Sequence, residues 1–176
     1  MLVSRFFKVL ISIILGLSAN MLYAQVINES SMATEILAYI NQYRVQHGLK
    51  KLVMNKHVSY EAYKHSDEMA KSKVAFGHDG FYQRIDNLHK SIKNSSIGAE
   101  NVAYNYKTAE IVARGWINSS GHRNNILGNY NLTGIGIAKD ATGRLYYTQM
   151  FLLANSTTKY SKARHAKLGG LFSLFG

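Results

Sequence analysis

Two apolar rhythms alternate along the chain, one of helical period and one of strand period. Ile36, Leu37, Ile40, Tyr43 and Arg44 follow the i, i+3, i+4 spacing and predict a helix over about 32–47. Gly48 then suits the left-handed cap position. After a short linker over 49–54, Val58, Ala62, His65, Met69 and Ala70 mark the buried stripe of a second helix, about 57–73. A short helix is expected over 82–91. Another follows over 108–118, with Thr108 as its N-cap, Glu110 in its first turn, and Ile111, Val112, Gly115 and Trp116 on its apolar face. Ser119-Ser120-Gly121 reads as a small-residue turn, and a last short helix covers about 122–127.

Strand-like stretches take over elsewhere. Residues 97–104 form a short extended piece, with Glu100-Asn101 in an otherwise apolar run. Residues 132–139 and 144–153 predict a β-hairpin around Asp140-Ala141-Thr142-Gly143. In the first hairpin strand Ile135 and Ile137 share one face and Gly134 and Gly136 the other, so something can approach the strand closely. The return strand is apolar on both faces, as in a strand covered by helices on both sides. The glycine pair at Gly77 and Gly80 brackets His78-Asp79 and marks a further turn.

The ends of the chain do not share these rhythms. Residues 1–24 read as a secretory signal: Arg5 and Lys8 lead, an apolar run from Val9 to Leu17 follows, and Leu22-Tyr23-Ala24 offers a cleavage site before Gln25. The run is too short to favour an uncleaved membrane anchor. A polar leader occupies 25–33, one domain occupies 34–155, and a basic, poorly ordered tail occupies 156–176. The tail holds Lys159, Lys162, Arg164 and Lys167 with no acid, then an apolar end too short to span a membrane, and can dock on an anionic envelope surface. The net charge is +11, yet no basic stripe interleaved with aromatics appears, so nucleic acid is not an expected partner. There is no Cys, which excludes thiol chemistry, disulfides and Cys-metal sites.

Three residues carry candidate chemistry. Of seven His, five sit on expected helices, at boundaries or in the tail; His78 and His122 instead lie at Gly-containing turns, where a ring can face a cleft. Their spacing matches no metal-ligand motif. Glu100, inside an apolar run, must pair, accept hydrogen bonds or shift its pKa; it is a structural carboxylate, a general base or a metal ligand. Ser119 and Ser120 precede His122, but no nucleophile elbow exists, and turn or capping roles suit them better.

In chain order, Ile40-Asn41-Gln42-Tyr43-Arg44, Gly77-His78-Asp79-Gly80-Phe81, Gly98-Ala99-Glu100-Asn101-Val102-Ala103, Gly115-Trp116, Ser120-Gly121-His122-Arg123-Asn124 and Gly134-Ile135-Gly136-Ile137 form an ordered set. The chain resembles the CAP superfamily (the SCP domain of cysteine-rich secretory, antigen 5 and pathogenesis-related 1 proteins) in its disulfide-free bacterial branch. The resemblance implies an α+β fold: a three-layer α-β-α sandwich with a small central antiparallel sheet. It also implies a cleft lined by His78, Glu100 and His122, with Asn101 and Ser119 beside them, that holds a divalent cation, zinc favoured. Where many members carry a second Glu, three residues after the Trp, this chain has Ser119, and Ser120 stands where a Pro is common. A missing second acid favours binding over catalysis. The implied protein is exported, secreted or periplasmic, a monomer or weak oligomer, and binds an unknown ligand, lipid or protein partner. The alternatives are a metal- or Glu100-assisted hydrolase and a lipid-interacting envelope module.

Overall fold

The computed structural model describes residues 29–155. The signal-like segment 1–24 and the tail 156–176 lie outside the described residues, as do residues 25–28. Helix α1 is already under way at residue 29 and runs to 46, so it absorbs the last five residues of the expected polar leader. The other elements are β1 (Val53–Met54), α2 (Lys56–Ala70), α3 (Phe81–Ser91), β2 (Ser95–Tyr104), α4 (Ala109–Asn118), α5 (Ser120–Ile126), β3 (Leu132–Lys139) and β4 (Leu145–Ala154). No helix among the described residues is long and apolar enough to cross a membrane.

The four strands are ordered β1-β3-β4-β2. The hairpin forms as expected, with β4 antiparallel to both β3 and β2. The sheet is not wholly antiparallel, however. The linker at 49–54 contains β1, which pairs in parallel with β3 through Val53 and Met54 alone. Two residues are too few to show an alternating pattern, so the linker carried no strand signal. Asn55 follows at once and caps α2, its side-chain oxygen accepting from the backbone N–H groups of His57 and Val58.

Helices cover both faces. On one, Val58 and Ala62 of α2 and Ile85 and Leu88 of α3 pack with Met150 and Leu152. On the other, Ile36 and Ile40 of α1, Val112 and Trp116 of α4 and Ile126 of α5 pack with Ile135, Ile137, Tyr147 and Phe151. The three-layer α-β-α sandwich follows. The glycine face of β3 is where α2 lies: a Cβ on Gly134 would run into the backbone of Ser59 and Val58, and one on Gly136 into that of Tyr63 and Ala62. Ser66 locks the contact: its hydroxyl donates to the carbonyl of Gly136 at 3.0 Å and accepts from the Thr148 hydroxyl at 2.8 Å.

Local chemistry sets the remaining boundaries. α2 ends at Ala70, short of the expected 73, and Ser72 adopts a left-handed φ of 54° that no helix accommodates. Thr108 caps α4 as expected, accepting from the N–H of Ile111. The expected turn at 119–121 contracts to one extended residue, Ser119, which ends α4 and starts α5. His122 therefore sits in the first turn of a helix rather than on a turn. Arg44, read as part of an apolar rhythm, is buried and ties α1 to the chain after α5 through the carbonyls of Ile126, Gly128 and Tyr130.

Candidate functional site

β2 is an edge strand, and the site straddles its free edge. Neighbouring side chains on a strand point to opposite faces. Glu100 thus meets the α2–α3 layer, while Asn101 meets α5. Along the edge itself, two side chains cap the backbone. Asn125 Nδ2 donates to the carbonyl of Glu100 at 3.1 Å, and Trp116 Nε1 donates to that of Val102 at 3.2 Å.

Glu100 is 5% exposed. Arg84 forks onto it, with Nε 2.8 Å from Oε2 and Nη2 2.8 Å from Oε1. A bidentate pair of this kind is among the strongest polar contacts a protein makes. The third guanidinium nitrogen, Nη1, donates to the carbonyl of Asp79 at 2.7 Å, which fastens α3 to the glycine turn. Gly80 caps α3 with φ of 75°, the left-handed conformation for which glycine is suited.

His78 comes from that turn and places Nδ1 2.9 Å from Glu100 Oε1. A carboxylate only accepts, so Nδ1 carries a proton, and in the neutral ring Nε2 then keeps its lone pair. The turn is held from behind by His65, fully buried on α2, whose Nε2–H donates to the carbonyl of Gly77 at 2.8 Å. Nδ1 of His65 is buried without a partner among the described residues. Burial pushes the His65 pKa down, and Arg84 adds to this against the opposing Gly77 bond and the Glu100 and Glu68 charges.

The opposite side is looser. Asn101 Nδ2 donates to the backbone carbonyl of His122 at 3.2 Å, and its Oδ1 accepts from Asn125 at 2.8 Å. This network grips the backbone of α5, yet the His122 ring makes no hydrogen bond among the described residues. Burial, and then the neighbouring His78, lower its pKa, so the ring is neutral at pH 7. His78, Ser119 and His122 line one cavity of about 460 Å³ with Trp116 and Tyr106 in its wall. His78 and Glu100 line a second, of about 300 Å³, with Phe81 and Asn125.

His78 thus joins two half-sites: it pairs with Glu100 on one side and faces His122 on the other. Glu100 is absent from the lining of the His122 cavity, and His122 from that of the Glu100 cavity. Among the described residues no group of three or more His, Asp or Glu side chains is arranged to hold a metal ion. Sequence reasoning missed Arg84, His65 and Asn125 as parts of the site. Arg84 lies one turn before Leu88 on the apolar face of α3, a cation where none is expected, and His65 sits squarely in the apolar stripe of α2. Those two positions carried a signal; Asn125 carried none.

The family model of the cysteine-rich secretory proteins, CAP, matches residues 37–151. The chain belongs to the CAP family. Two Bacillus subtilis proteins are similar to this chain. The uncharacterized membrane protein YlbC is 33% identical over 128 residues, covering 70% of this chain and 35% of that protein. The uncharacterized protein YkwD is 35% identical over 125 residues, covering 70% and 48%. A crystal structure of an extracellular protein containing a SCP domain from Bacillus anthracis superposes with a TM-score of 0.61 at 26% identity, covering 71% of this chain and 41% of that one. The chain therefore spans between about a third and a half of the length of these proteins. This CAP domain is disulfide-free, since the chain has no Cys.

Proposed function

We propose that the protein is an exported CAP-domain binding module whose cleft takes a divalent cation, zinc by preference, between His78 and His122. One observation carries this reading: two imidazoles with uncommitted ring nitrogens line the same cavity, and one of them is oriented by a carboxylate. Neutral imidazole is a favoured ligand for zinc, and a carboxylate behind the ligating His fixes its tautomer and raises its basicity. Glu100 fits that supporting role better than direct ligation, because Arg84 already occupies both of its oxygens. The same bonds make Glu100 a poor general base, which favours binding over hydrolysis. A cation there would act as a Lewis acid toward an oxygen ligand. Export is supported by the signal-like segment 1–24 and by the extracellular protein from Bacillus anthracis.

The test is a thermal melt of the purified protein with and without zinc. The expected result is a zinc-dependent rise in melting temperature that disappears in His78→Ala and in His122→Ala. Absence of a rise in the wild type overturns the cation assignment and leaves the family membership untouched.

A further inference from the structure

The cavity that holds His122 opens onto a row of aromatic rings. Phe76 and Tyr104 are each 48% exposed, and their centroids lie 4.9 Å apart. Tyr104 stacks in turn on Tyr146 at 6.0 Å and 25°. The register explains the second pair, since Tyr104 and Tyr146 face each other across β2 and β4. Tyr106 supplies a further wall by lying over Gly115, where an added Cβ would come within 2.8 Å of its hydroxyl. Half-exposed rings set side by side are a standing surface cost unless something covers them.

The chemistry of the cavity narrows what that is. None of its lining residues is Asp, Glu, Lys or Arg, although the chain carries a net charge of +11. Its polar groups are the Ser119 hydroxyl, the phenol hydroxyls of Tyr104 and Tyr106, the backbone and the imidazoles of His78 and His122. With no metal bound, an anionic organic ligand finds no Lys or Arg in this lining, and a cationic one finds no Asp or Glu. A lipid tail calls for an enclosed aliphatic channel, whereas the aliphatic lining amounts to Val102 and Ala103. Flat rings beside neutral donors and acceptors suit a ligand that is itself flat, uncharged and rich in hydroxyls. Gluco-configured pyranoses linked β-1,4 have those properties: equatorial substituents leave each ring two C–H faces to lie on an aromatic, with hydroxyls around the rim.

We propose that the Phe76–Tyr104–Tyr146 strip and the adjoining cavity form a binding site for a neutral β-1,4-linked glycan, its rings on the aromatics and its hydroxyls toward Ser119 and His122. The proposal rests on reading the cleft as a binding site and is independent of the cation. Trp116, the one Trp of the chain, lines the cavity and reports on its occupancy.

The test titrates the purified full-length protein, in EDTA, with the β-1,4-linked tetramer of N-acetylglucosamine, reading Trp fluorescence and calorimetric heat. Saturable binding is expected. It should weaken about tenfold or more in Tyr104→Ala and in Phe76→Ala, with Tyr146→Ala as a second probe and a thermal melt confirming that each variant folds. No heat and no fluorescence change with the tetramer overturns the proposal. So does binding that survives all three ring substitutions, or binding of palmitate at the strip in place of the tetramer. Zinc melts on the same variants keep the two readings apart: loss of Tyr104 should leave the zinc response intact, and loss of His122 should remove it.

Discussion

Glu100 and His122 flank one strand edge, and the fold holds them in opposite ways. Glu100 is sealed into the sandwich, each oxygen met by Arg84 and one also by His78. His122 is held only by its backbone, through Asn101, and its ring meets no hydrogen-bond partner among the described residues. The first arrangement fixes geometry, while the second leaves a lone pair for something not belonging to the chain. Binding sites need both, since a ligand-facing group is only useful when its support does not move.

Removing Arg84 should break the contrast most severely. Arg84→Met leaves a buried carboxylate without its cation, and a loss of about 3–5 kcal/mol is expected in urea unfolding. The double variant Arg84→Met with Glu100→Leu should regain most of that loss, because the charge goes with its partner. A single substitution that costs less than about 1 kcal/mol would mean that the pair does not anchor this half of the cleft.

Acid should act next. The folded-state pKa of His65 lies below its ordinary value of 6.5. The unfolded chain therefore binds a proton first as pH falls. The stability that His65 contributes as a buried neutral ring is complete above 6.5 and is lost progressively below it, down to the folded-state pKa. The loss is at most about 1.4 kcal/mol per pH unit. Urea midpoints at pH 7.5 and 5.5 measure it, and His65→Leu should flatten the difference. An unchanged slope in that variant would move the effect to another group.

The looser half is sharpened by giving it the acid it lacks. Ser119→Glu puts a carboxylate in the uncharged cavity beside His122. Zinc affinity should rise about tenfold, roughly 1.4 kcal/mol, in a calorimetric titration. Equal or weaker affinity would separate Ser119 from the cation. His122→Ala should have the smallest effect on the fold, within about 0.5 kcal/mol in urea, since its ring makes no hydrogen bond among the described residues. A larger loss would show that the ring is structural.

Much of the scaffold was legible because its signals are local. The glycines of β3 announced a close approach, and α2 proved to be what approaches. Thr108 and the hairpin loop behaved as their residue types dictate. A carboxylate in an apolar run demanded a partner, and Glu100 has one. The identity of that partner was not legible. Arg84 reaches Glu100 only because α3 folds over β2, a juxtaposition that sixteen residues of spacing do not encode. His65 was visible as part of a stripe, yet its hold on Gly77 depends on where the following turn lands. β1 escaped notice because two residues make no pattern, and the three-residue turn before His122 shrank because one extended serine suffices to separate two helices.

The bonds that Asn125 and Trp116 make along β2 have a consequence for molecules in a crowd. A bare strand edge recruits strands from other copies, and sheets then grow between molecules. At Glu100 and Val102 the outward carbonyls are already occupied, so a visiting strand would have to displace two side-chain donors, one of them the indole of a fully packed Trp. The floor of the cleft is thereby denied to other copies of the chain, and at high local concentration the opening stays available to ligands instead of being zipped shut.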